Sequence, residues 1–174
     1  LVPMTWDDEV VLLKRELARA HAALKLEEQP NKDLPKLTPA ATPEEYTARA
    51  NAAVTKYIAW LKDKNLLSVQ DYLDPAMRVH IGRFVPEATR NFFGIASHYE
   101  PMTLFAHFYH WFDHAWMKKA PHASPIRRGA TLFNVWSNRS EGMATAMEEL
   151  ILHAGYYDDT PRAGEIVWIM LAQR

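Results

Sequence analysis

The chain has no cysteine. That excludes disulfides and thiolate metal centres, and leaves histidine and carboxylates as the only strong ligands for a metal ion. Glycine is scarce, six residues against eleven prolines, which argues against a turn-rich all-β fold. Neither sign of charge dominates: twenty Lys and Arg face twenty-one Asp and Glu, for a net charge of -1. Without a concentrated basic footprint, nucleic acid is a poor partner. No apolar run approaches the roughly 20 residues that span a bilayer, so no membrane partner is expected. The opening LVPMTWDDEVV has no basic segment followed by an apolar one, so no signal peptide is visible. No internal repeat and no low-complexity segment stands out.

What remains is ordinary for a globular protein, 48% hydrophobic and 24% charged, in a chain long enough for one domain with a real core. The periodicity is helical. Thr5 is a natural N-cap with Asp8 at the third helical position, and Val10, Leu13, Leu17, Ala20 and Leu24 recur at helical spacing to about Glu27. The stretch QPNKDLPKLTPAATP reads as a linker. Thr42, Pro43 and Glu45 open a second helix whose buried stripe is Tyr46, Ala50, Ala53, Tyr57 and Leu61. RVHI suggests a short strand, and PEATRNFFG two helical turns ending at Gly94. A long helix is expected from Met102 to Lys119, stopped by Pro121. Ser124 and Pro125 then restart the chain, with a helical pattern from Ile126 toward Trp136 that breaks near Ser137 to Ser140. Glu141 to Ala154 forms a helix closed by Gly155, and Thr160 and Pro161 open the last one. The expected architecture is all-α, with at most a minor strand. It forms one helical domain over 1–174, comprising an N-terminal helical pair over 5–63 and site-bearing helices over 102–174.

The densest chemistry is HFYHWFDHAW. On an ideal helix His110 lies about 60° and His114 about 20° from His107, so the three share one stripe, flanked by Phe108, Trp111, Phe112 and Trp116. Between His107 and His114 the rise is about 10.5 Å, too far for two ligands of one ion on a straight helix. The helix therefore offers His107 with His110, or His110 with His114, and the third histidine serves an outer or substrate role. The plain alternative is a set of core histidines paired with carbonyls or carboxylates. Glu141, Thr145 and Glu148 share a stripe on SEGMATAMEEL, where Gly142, Ala144 and Ala146 allow another helix close approach. Glu141 would complete a two-histidine, one-glutamate set that suits zinc with water in the fourth position. Alternatively it only favours its helix N-terminus. Glu148 and Glu149 read as solvated.

SEGMATAMEELILHAGYYDDTPRAGEIVWIMLAQR resembles the C-terminal part of the bacterial family catalogued as domain of unknown function eight-eight-five, helical proteins similar to gluzincin-type zinc metallopeptidases. Glu141, Gly142, Met143 and Ala144 match its Glu-Gly-Trp-Ala motif, with Met143 for Trp, and Ala154, Gly155, Tyr156 and Asp158 follow. His107 to His114 take the place of its His-Glu-Ala-x-Pro-Gly-His-His helix, whose outer histidines have the same spacing. The resemblance covers roughly the last quarter of the chain. It implies a zinc-dependent hydrolase of peptide, amide or ester bonds, in bacterial cytoplasm or periplasm. His107, His110 and Glu141 would hold the metal, and His114 would be an outer or catalytic group. Tyr156 would lie with the substrate. The family's general base follows its first histidine; here that position is Phe108, so Glu148 or Asp113 would have to replace it. Arg127 and Arg128, between the motifs, would clamp a substrate carboxylate or simply be a solvated helix start. Two further readings are a catalytically silent relative that binds a metal or small ligand, and a helical interaction module with structural histidines. The family is usually longer, which fits a fragment. The apolar run Ile166 to Leu171 calls for cover from a second copy or from downstream helices.

Overall fold

The computed structural model describes residues 3–125 and 141–173. It is all-α, and among the described residues there is no strand. None of their helices is long and apolar enough to cross a membrane. The chain divides into two compact units, Leu1–Leu37 with Tyr157–Arg174, and Thr38–Tyr156.

In the first unit, α1 (Trp6–Asn31) starts with the expected reciprocal cap. The Thr5 hydroxyl accepts from the Asp8 amide and the Asp8 carboxylate accepts from the Thr5 amide. The helix outruns its expected end at Glu27 and passes through Pro30. The proline forgoes the bond to the carbonyl of Leu26, an exposed residue. The Asn31 side-chain amide donates to the Glu27 carbonyl at 3.0 Å, and the Arg162 guanidinium donates to the Asn31 carbonyl at 2.6 Å and to that of Leu34 at 3.1 Å. A distant cation thus does the work of a basic last turn, which α1 lacks. Within this unit α1 packs on the C-terminal helix, Ala163–Gln173, with Arg19 over the Trp168 ring. Val167, Trp168 and Met170 are buried, and within the run from Ile166 to Leu171 only Ile169 is exposed.

In the second unit, α2 (Pro43–Lys64) has Thr42 as its cap and Pro43 in its first turn, and it ends on Asn65 in the left-handed conformation at φ 50°. Glu45 reaches past the cap to accept from the Ala41 amide at 2.8 Å. All five residues of the expected stripe are buried. Next comes α3 (Leu73–Arg78), whose Arg78 joins Asp74 to Asn51 and Thr55 of α2. The expected strand at RVHI is absent; these residues finish α3 and turn, with the His80 amide donating to Met77. The segment before Gly94 also differs. A 3-10 turn covers Glu87–Thr89, and α4 (Phe92–Tyr99) begins there, because Asn91 caps it by accepting from the Gly94 amide at 2.8 Å. Gly94 opens that helix rather than closing one.

The expected helix over 102–119 is three pieces: α5 (Pro101–Phe105), a 3-10 turn at Ala106–Phe108, and α6 (Tyr109–Lys119). Glu141 and Gly142 occupy a wide π-type turn ahead of α7 (Met143–His153), which ends before Gly155 at φ 80°. α7 packs against the 3-10 turn and α6. The helix at Ala163–Gln173, α8, starts later than Thr160 and Pro161 suggest, after Arg162 at φ 70°. The pattern from Ile126 toward Trp136 and the break near Ser137 to Ser140 lie outside the described residues.

Candidate metal centre

The 3-10 turn draws the first two histidines closer together than an α-helix alone would. At three residues per turn, positions i and i+3 eclipse, and the His107 and His110 rings sit with centroids 5.0 Å apart, nearly perpendicular. The start of α7 adds Glu141. Its Oε2 lies 3.2 Å from His107 Nε2 and its Oε1 3.7 Å from His110 Nδ1. One ligand atom from each of the three lies within 4.8 Å of the others, the set expected for zinc. Of the small residues expected to permit this approach, Ala144 is buried in the contact, whereas Gly142 and Ala146 are exposed.

His107 is buried and the His110 side chain is 12% exposed, while that of Glu141 is 40% exposed, so the cluster has a drier side and a wet side. Burial pushes the His110 imidazole down to about 4; Glu141 opposes that shift, and His107, His114 and His80 reinforce it. His110 is therefore neutral at neutral pH. Its Nδ1 is buried and makes no hydrogen bond. A buried nitrogen without a donor, aimed at a carboxylate, fits a cation between them.

Glu148 departs from the expectation of a solvated residue. It is 1% exposed, and its Oε1 lies 3.2 Å from His107 Nδ1. The two nitrogens of an imidazole lie on opposite edges of the ring, so Glu148 faces the edge turned away from Glu141. That geometry suits orienting His107 and does not suit a general base, the role considered for Glu148 in place of the base that the resembled family carries. His114 lies one turn beyond His110, ring centroids 6.0 Å apart, half-buried beside Trp111.

Tyr156 sits in the core rather than where a substrate could touch it. It is 3% exposed, edge-on to Tyr57 and Trp60, with the Lys56 ammonium 4.8 Å from its ring centre. Arg127 and Arg128 lie outside the described residues. His80 escaped the sequence reading. It stacks on Trp111 at 3.6 Å, 8° from parallel, which adds a fourth imidazole beside the stripe, and burial lowers its pKa. Nothing in the local pattern of RVHI signals this contact, made between α6 and the end of α3. No family model, curated protein or solved structure matches the chain.

Proposed function

We propose that this chain is a metal-dependent hydrolase related to the zinc metallopeptidases, acting on a peptide, amide or ester bond of a small-molecule or peptide substrate. The observation that carries the reading is the convergence of His107, His110 and Glu141 within ligand distance of one another. His107 through Nε2, His110 through Nδ1 and a Glu141 oxygen would hold zinc. When bound, the metal would polarise a carbonyl and lower the pKa of water in its open position. The chain's own contribution is a neutral, desolvated His110 that needs no deprotonation at neutral pH, and a half-exposed Glu141 that leaves one side open to water and substrate. His114, on the same stripe, is the candidate proton acceptor.

One observation favours a second reading. Phe108 occupies the position where the resembled family carries its base, so a relative that keeps the metal and has lost turnover is the alternative. Zinc titration by calorimetry on the wild type and on His110→Ala tests the metal, and a peptide and ester panel with and without chelator tests turnover. Heat in the wild type that vanishes in His110→Ala, with chelator-sensitive hydrolysis, supports the hydrolase. Heat without hydrolysis supports the silent relative. Negligible heat in both proteins ends the metal reading and leaves a helical module with structural histidines.

A further inference from the structure

We propose that Glu148 is a positioning residue for His107, accepting a hydrogen bond from its Nδ1–H so that the Nε2 lone pair is held toward His110 and Glu141. This inference rests on the metal reading above.

His107 lies between two carboxylates from one helix segment. Glu141 Oε2 is 3.2 Å from Nε2, and Glu148 Oε1 is 3.2 Å from Nδ1. The glutamates stand two helical turns apart, with buried Ala144 between them on the face that meets the 3-10 turn. Their environments differ. The Glu141 side chain is 40% exposed and Glu148 is 1% exposed. A carboxylate that far from water is kept only against groups that donate to it. The His107 nitrogen beside it is also buried. The contact has hydrogen-bond length without the alignment of one. Catalytic hydrogen bonds are often loose before the ligand arrives and tighten with it.

An imidazole that ligates through one nitrogen donates from the other to a carboxylate, carbonyl or water, which fixes tautomer and ring orientation and raises ligand basicity. Glu148 meets that requirement. Its burial also keeps water from competing for Nδ1. Because Glu148 acts from the edge of the ring remote from the open side of the cluster, its influence is on affinity and on where the His107 proton resides. It does not transfer a proton to substrate.

The test is zinc calorimetry on the full chain as wild type, Glu148→Gln and Glu148→Leu, with nitrogen-15 correlation spectra of the His107 ring in zinc-loaded protein. Gln preserves the shape and Leu keeps the site packed if the amide is not tolerated. Expected is a loss of zinc affinity of about 10-fold in Gln and about 100-fold in Leu, the range typical for outer-shell partners of ligating histidines. The wild-type ring should show a slowly exchanging proton on Nδ1 that shifts in Gln and exchanges rapidly in Leu. A structural role alone would lower the melting temperature and leave affinity and the Nδ1 signal in place. Wild-type affinity in both variants with an unchanged ring spectrum overturns the proposal while the metal reading stands. No zinc heat in the wild type overturns both.

Discussion

His110 ties stability to pH, and the size of the effect follows from its burial. Its ordinary value is 6.5, and in the folded chain it is pushed down to about 4 by desolvation. Above pH 6.5 both folded and unfolded chains carry a neutral imidazole and His110 contributes no pH dependence. As pH falls through that value the unfolded chain takes up a proton that the folded chain refuses, so stability falls. Below about 4 both states are protonated and the loss is complete, at about 3 kcal/mol for a shift of this size. At about pH 5 the same linkage gives about 2 kcal/mol. The perturbation that isolates it is His110→Gln, which is of similar size and neutral throughout. Urea unfolding followed by tryptophan fluorescence, with chelator present, gives both free energies. Burial also lowers His80 and His98, so the wild-type slope alone proves nothing. The informative quantity is the difference between the proteins at about pH 7 and about pH 5, where the wild type should lose about 2 kcal/mol more. Parallel pH profiles would refute the reasoning and show that His110 is hydrated in the folded chain.

Zinc at a hundredfold excess over its dissociation constant should stabilise the wild type by about 2.7 kcal/mol through mass action, seen as a raised melting temperature that Glu141→Gln abolishes. Tyr57→Phe should be neutral or stabilising by about 1 kcal/mol in urea melts, because the Tyr57 hydroxyl is fully buried without a hydrogen bond. Arg162 combines the carbonyl bonds at the end of α1, a bridge to Glu165 at 3.2 Å and a left-handed backbone. Arg162→Ala should therefore cost more than Arg162→Gly, by about 1 kcal/mol, since glycine alone escapes the backbone strain.

Local signals were legible wherever one turn of helix decides the outcome. Thr5 with Asp8, Thr42 with Pro43, and the stripe from Tyr46 to Leu61 each depend on neighbours within a few residues, and each is where the sequence puts it. Signals that needed a partner far along the chain were not. The end of α1 is set by Arg162, and the short-range rule that stops a helix before Pro30 cannot include it. Asn91 is as good a cap as Thr5, but the glycine three residues on reads as a stop unless the cap is recognised first. His80 meets Trp111 through the packing of α3 on α6, which no periodicity within RVHI encodes.

The candidate site divides along the same line. His107 and His110 were readable as a pair because any right-handed helix brings i and i+3 to one side, and the 3-10 turn only sharpens that. Glu141 was readable because it stands at a helix start beside a residue without a side chain. Glu148 was misread because charge by itself predicts solvent, and that expectation fails when the face is already committed. Glu141, Ala144 and Glu148 lie at i, i+3 and i+7, so whatever buries Ala144 and holds Glu141 against the 3-10 turn carries Glu148 in as well. An imidazole with nitrogens on two edges is the partner able to meet both carboxylates from one position. The second glutamate thus follows from the first: once Glu141 meets one edge of His107, helix geometry delivers an acceptor to the other edge two turns later.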